Sequence, residues 1–228
     1  MQMKTVGLIT YHFPHLKTEQ VLQRLIGLDR GFAFRMYGLP FSPRKPRESL
    51  FQHRPEQSDA VAPEAMAEKH AIPYIECGND NDIDGSCDIY LVLGAGILSA
   101  KCVEDKKIIN CHPGIIPANR GLDSFKWAIY EMRPLGITLH YIDAQVDSGE
   151  VISIIPTNIY VSDSLTTLAR RHYENEIDVL SRFTDFLDNP TNPFADLEEG
   201  EPKKRMPLGH ERELVHRFSE YTDRYGSA

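Results

Sequence analysis

Three observations predict an α/β protein with a mostly parallel central sheet flanked by helices. Short apolar runs recur along the chain, amphipathic stretches separate most of them, and two of the most apolar runs end in glycines or polar residues. A run that is apolar throughout suits a strand buried on both faces, and strand–helix alternation favours parallel pairing.

The elements follow in order. Residues 4–10 (KTVGLIT) form a buried strand. After a break at His12 and His15, Thr18 can cap a helix carrying Val21, Leu22, Leu25 and Ile26 on one face. Residues 32–37 alternate like a second strand, and 40–58, rich in Pro, Arg and Ser, read as a long surface loop. A helix around 60–70 precedes a strand at 72–77 (IPYIEC). Residues 88–96 (DIYLVLGAG) and 107–111 (KIINC) are two further buried strands. Residues 136–160 hold two strands joined by the turn-rich DAQVDSGE. Ser162 and Asp163 can cap a long helix with Leu165, Leu168, Ile177, Leu180 and Leu187 on its buried face. From 189 to 207 the chain is rich in proline and charge, and a last helix is expected near 210–223. This extension can wrap the domain or meet a second subunit, so a homodimer stays open. The division expected is a domain of residues 1–188 and a tail of 189–228.

At 228 residues the chain is long enough for a substantial core without staples. Its 25 basic and 33 acidic residues give a net charge of -8, which disfavours nucleic acid and anionic membrane as partners. No apolar run approaches the length needed to span a bilayer, and no signal-peptide pattern is present. The irregularly spaced Cys77, Cys87, Cys102 and Cys111 read as reduced thiols, so a cytoplasmic location is expected.

In open parallel sheets ligands bind beyond the carboxyl ends of central strands. LGAGIL and INCHP both lie at such ends. Asn110 and His112 occupy alternate positions of one strand, so their side chains can share a side. Asp147 follows in a VDSG turn. An amide donor, an imidazole and a carboxylate suit acyl transfer to an amine: the first two can stabilise an oxyanion, and the carboxylate can hold the imidazole charged. The same residues have plainer uses, as a turn cap, a core histidine and an Asx turn.

The surrounding words narrow the choice. N-x-H-P-G-I-I-P-A-N-R-G, followed by G-I-T-L-H-Y-I-D-x-x-V-D-S-G-E-V-I, closely resembles the folate-dependent formyltransferases, which include phosphoribosylglycinamide, methionyl-tRNA and sugar N-formyltransferases. The resemblance is strong over residues 88–157 and implies a Rossmann-like formyltransferase fold over about 1–187. Asn110, His112 and Asp147 match the family's catalytic positions, and Gly114 stands where the family's motif usually has serine. The implied donor is N10-formyltetrahydrofolate, and no metal is implied. The pterin is expected against backbone groups near Ala95, Gly96, Ile97 and Leu98, with residues 140–147, Ile142 and Asp143 among them, as the other wall. His140 is the weakest member of that wall.

The acceptor is read from a departure. Phosphoribosylglycinamide formyltransferases carry a glycine-rich phosphate loop after the first strand, whereas here LITYHFPHLKTEQ is bulky. Methionyl-tRNA enzymes carry a basic C-terminal domain, and this tail is short and mixed in charge. Elimination favours a nucleotide-linked amino sugar, with Tyr11, His12, Phe13 and His15 facing the sugar or base, although these residues suit a capped loop equally well. The alternatives are phosphoribosylglycinamide itself, or a non-catalytic sensor of folate or sugar nucleotide. Cys111, beside His112, should turn into the core rather than act as a nucleophile. The histidines and cysteines never adopt zinc-ligand spacing, and the KKR run at 203–205 reads as solvated.

Overall fold

The computed structural model describes residues 4–41, 48–143 and 147–228. Part of the expected 40–58 loop and three residues of the 140–147 wall therefore lie outside the described residues. The strands are β1 (Thr5–Tyr11), β2 (Ala33–Leu39), β3 (Tyr74–Glu76), β4 (Ile89–Val92), β5 (Ile108–His112), β6 (Gly136–Tyr141) and β7 (Val151–Pro156). They form one sheet in the order β3-β2-β1-β4-β5-β6-β7. Pairing is parallel from β3 through β5 and antiparallel from β5 to β7. This is the mostly parallel α/β sheet expected from the alternation.

The helices are α1 (Leu16–Leu28), α2 (Pro63–Lys69), α3 (Ala100–Val103), α4 (Ser124–Tyr130), α5 (Leu165–Ser181), α6 (Phe183–Asp188) and α7 (Leu208–Tyr225). Val6 and Leu8 of β1 pack with Val21, Leu22 and Leu25 of α1 and Ile177 and Leu180 of α5. On the other face Ile9, Tyr37, Tyr90 and Ile108 meet Leu98 and Cys102. The period-2 alternation of the strands thus feeds two helical layers.

Four boundaries differ from the sequence expectation. Helix α1 begins before Thr18, because Gln57 O accepts from Leu16 N at 2.7 Å and supplies the partner that a capping side chain would. Thr18 is buried instead, its hydroxyl 2.6 Å from that of Thr10. Ser164, not Ser162 or Asp163, caps α5, exchanging bonds with Thr167. Asp163 is engaged by a two-pronged bond from Arg171 at 2.7 and 2.8 Å. The single long helix divides at Arg182, so Leu187 lies on α6. Strand β4 stops at Val92, since Leu93 N and Gly94 N both donate to Ile9 O and the chain turns out of the ladder.

The C-terminal extension packs on this same chain. Leu214, Phe218 and Tyr221 of α7 join Phe125 and Ile129 of α4 in a separate apolar cluster. Among the described residues no helix is long and apolar enough to cross a membrane.

Candidate active site

Strand β5 lies in the middle of the sheet between β4 and β6; because β6 is antiparallel, the chain leaves it beside Ile108, and Asp147 further along lies next to His112 at the other end of β5. Asn110 and His112 project to one side of it, and between them Cys111 turns the other way. Cys111 is 2% exposed, its Sγ lies 3.6 Å from Glu176 O, and burial pushes its thiol well above the usual range. This agrees with the strand alternation and removes a thiolate nucleophile from the site.

His112 is held on both nitrogens. Its Nε2 lies 2.8 Å from Asn119 O and 3.2 Å from Ser124 Oγ. A carbonyl only accepts, and the Ser124 hydroxyl hydrogen is given to Gly121 O at 3.0 Å. Nε2 must therefore carry the hydrogen. That leaves Nδ1 toward Asp147, whose Oδ2 is 3.4 Å away. Asp147 is itself fixed: its backbone is left-handed (φ 48°), and Oδ2 accepts from Gly121 N at 2.9 Å.

His140 sits opposite Asn110 in the β5–β6 ladder. Its Nδ1 donates to Tyr141 O at 3.0 Å, so its Nε2 is an acceptor for Asn110 Nδ2 at 3.2 Å. Burial, reinforced by His112, lowers the His140 pKa to about 4 and keeps the ring neutral. The tautomer of His140 thus sets the amide of Asn110, with its NH2 rather than its oxygen toward the histidine. Asp147 Oδ1 lies 4.0 Å from His140 Nε2, which closes the group. The weakest member of the sequence reading is therefore in the centre of the cluster. Asn119, Gly121 and Ser124 were missed as supports; the only signal for them was the NRG word after the second proline.

Gly114 answers to the same geometry. A Cβ there would lie 2.5 Å from Asn119 O and 2.7 Å from His112 Nε2. Restoring the family's serine by Gly114→Ser is therefore expected to displace His112 and to cost about 1–3 kcal/mol. Urea denaturation alongside turnover checks this; an unchanged midpoint with full turnover would sink it.

The expected pterin residues flank β5. Ala95 is half-buried, Gly96 exposed and Ile97 84% exposed, but Leu98 turns into the core, so only its backbone is offered. On the other side Ile142 N donates to Ile108 O at 2.9 Å, and Asp143 accepts from Ser148 Oγ at 2.9 Å.

Tyr11, His12, Phe13 and His15 gather one strand further away, past the loop that follows β4. Tyr11 meets His15 and Phe41 edge-on at 5.5 and 5.0 Å, and Phe13 stacks on Phe41 at 5.1 Å. Backbone N–H of His12 extends the β1–β2 ladder to Leu39 O at 2.8 Å. His15 Nδ1 lies 2.9 Å from Thr18 Oγ1, and burial lowers its pKa to about 4. A Cβ on Gly94 would come within 2.7 Å of His15 Nδ1 and 3.0 Å of the Tyr11 ring, so loop 11–15 packs directly on the loop after β4.

The start of α1 is already occupied. Leu16 N donates to Gln57 O at 2.7 Å and Lys17 N to Gln57 Oε1 at 3.2 Å. Nearby, Lys17 Nζ reaches Glu176 Oε1 at 2.7 Å and Arg54 takes the other carboxylate oxygen. These amides, which would otherwise attract an anion, are satisfied within the chain. Among the described residues no group of three or more His, Cys, Asp or Glu is arranged to hold a metal ion.

Fold and site together define an α/β protein whose polar side chains converge beyond the carboxyl end of a central strand. Residues 89–184 match the family model described as formyl transferase. A phosphoribosylglycinamide formyltransferase from Bacillus subtilis (strain 168) is 37% identical over 71 residues, 31% of this chain and 36% of that protein. The matched stretch thus spans about a third of that relative's length. Two solved structures share the fold. A sugar N-formyltransferase from Shewanella sp FDAARGOS_354 superposes with a TM-score of 0.62 at 15% identity, covering 97% of this chain and 88% of that one. A phosphoribosylglycinamide formyltransferase from Anaplasma phagocytophilum gives 0.56 at 19% identity, covering 91% and 97%.

Proposed function

We propose that this protein transfers a formyl group from N10-formyltetrahydrofolate to a primary amine, and that the amine belongs to a nucleotide-linked amino sugar. The observation that carries the transfer is the convergence of Asn110, His112 and Asp147 at the end of β5, inside the segment that matches the formyl transferase family model. Residues 1–188 are taken as the catalytic domain and 189–228 as its extension.

The folate donor supplies a formyl carbon open to attack by the amine. The chain's own groups then divide the work. The second N–H of the Asn110 amide donates to the oxygen on which negative charge develops, and the imidazolium of His112, paired with Asp147 through Nδ1, stabilises that charge electrostatically, where preorganised groups act most strongly. Asp147 holds the imidazolium and accepts the proton that the attacking amine gives up, and that proton is returned to the departing nitrogen. Protons balance across the transfer. Backbone groups of 95–98 and of 142–143, on either side of β5, line the donor's pterin.

Two observations favour a sugar-linked amine over phosphoribosylglycinamide. The first amides of α1 are taken by Gln57, and loop 11–15 is filled by aromatic rings. The B. subtilis relative keeps the phosphoribosylglycinamide reading as the competitor. A thermal-shift screen with folate present separates them: stabilisation by nucleotide-linked amino sugars is expected, and stabilisation by phosphoribosylglycinamide alone would overturn the sugar assignment. Tight folate binding without turnover on any amine would favour a sensor instead.

A further inference from the structure

The chain between α6 and α7 runs along the loop of residues 117–123, and that loop is the one that braces the reaction centre. On its inner side, Asn119 O and Ser124 Oγ hold His112 Nε2, and Gly121 N holds Asp147. On its outer side, the loop's peptide groups are taken by the extension. Gly200 N donates to Pro117 O, Lys203 N to Arg120 O, and Leu122 N to Lys203 O, each at 2.9 Å. Met206 N donates to Asp123 Oδ2 at 2.9 Å, and Trp127 Nε1 to Lys204 O at 2.8 Å. Lys203, expected to be solvated, instead forms a bridge with Gly121, pairs with Glu131 and lies 5.1 Å from the Trp127 ring centre.

Gly121 is where the two sides meet. Its φ is 89°, and a Cβ would fall 2.3 Å from Lys203 O and 2.6 Å from Lys203 N. Only glycine allows this residue to lie against the extension with one face while its N–H reaches Asp147 with the other. Irregular backbone needs partners for its peptide groups, and for Pro117 O, Arg120 O and Leu122 N those partners come from residues 200 and 203.

We propose that residues 199–206 are a positioning element of the reaction centre: they clamp loop 117–123 so that Asn119 and Gly121 keep His112 and Asp147 in register. The clamp touches no reacting atom. It rests on the functional reading above, but it predicts a physical coupling that can be read without turnover.

The test uses the full chain. Asp123 is left-handed (φ 55°), so Asp123→Gly removes the acceptor for Met206 N without backbone strain, and Asp123→Asn keeps an acceptor oxygen. Combined with Trp127→Phe, Asp123→Gly should speed amide exchange across 199–206 and shift the 15N signals of the His112 ring. It should also lower kcat about tenfold with the KM for the folate donor nearly unchanged, as small misplacements of catalytic groups do. Asp123→Asn alone should behave as wild type. Gly121→Ala, whose Cβ cannot coexist with the Lys203 backbone, displaces the segment by a second route and should reproduce the same changes. A loosened segment with unmoved His112 signals and wild-type kcat would overturn the proposal. Were no amine formylated even by wild type, the functional reading would fail, while the ring signals would still decide the coupling.

Discussion

His112→Ala lowers kcat/KM for formyl transfer by about three orders of magnitude, the upper part of the range for losing a positioned proton-transfer and oxyanion-stabilising group. The loss falls on kcat, since His112 is 3% exposed and enclosed by Asn119, Ser124 and Asp147 beside the reacting carbon. Asp147→Asn keeps an acceptor for Gly121 N but removes the charge beside Nδ1, and about two orders of magnitude are expected. The effects should not add, because the two side chains act as a unit. Steady-state kinetics of the two single variants and the double variant check this. Full activity in His112→Ala would sink the mechanism, and additive losses would show that the pair works separately.

The second large effect is on stability. Glu176 is 1% exposed and receives both Lys17, 7% exposed, and Arg54. Removing one member of a buried ion group leaves the others uncompensated, so Glu176→Leu is expected to cost about 3–5 kcal/mol. For a chain of this size that is about 10 °C in Tm. Adding Lys17→Met should restore most of the loss, because well-packed apolar replacements of buried pairs are often neutral. Thermal melts of the single and double variants decide, and a Glu176→Leu protein that melts with wild type would remove the node from the account.

The same region sets the response to acid. Burial pushes the Glu176 pKa up, but Arg54 and Lys17 outweigh it and bring it down to about 2, from an ordinary 4.5. Its contribution is therefore complete above about 4.5 and is lost as pH falls toward 2. Burial lowers His172 and His140 to about 4 and His53 to about 3, from 6.5. The unfolded chain takes protons on these rings that the folded chain refuses. Stability should thus be level from pH 6.5 to about 8, decline below 6.5 toward 4 as the histidines act, and fall further as Glu176 is protonated. Melting curves at successive pH values measure it, and an unchanged Tm down to pH 4.5 would contradict the depressed histidines.

Much of the fold was legible because it depends on local pattern. Apolar runs such as residues 88–92 (DIYLV) and 107–111 (KIINC) are strands wherever they are buried on both faces, and the 3.6-residue stripe of α5 reads directly from Leu168, Ile177 and Leu180. The caps were less legible. Thr18 looks like a helix start, but Gln57, distant in sequence, supplies the partner and moves the start upstream. A long-range acceptor leaves no trace in the local word.

The candidate site divides in the same way. Alternation along β5 by itself determined that Asn110 and His112 share a side and that Cys111 does not, because a strand's period of two needs no partner. Only the tertiary structure decided which nitrogen of His112 carries its hydrogen, which way Asn110 presents its amide, and why Gly114 has no side chain. Those follow from Asn119 O, from the Tyr141 carbonyl acting through His140, and from the space beside His112. It also decided that residues 199–206 lie against the bracing loop rather than in solvent. The physical reason is one: side-chain direction is a property of the local backbone, whereas hydrogen-bond partners and free volume belong to segments that meet only when the chain is folded.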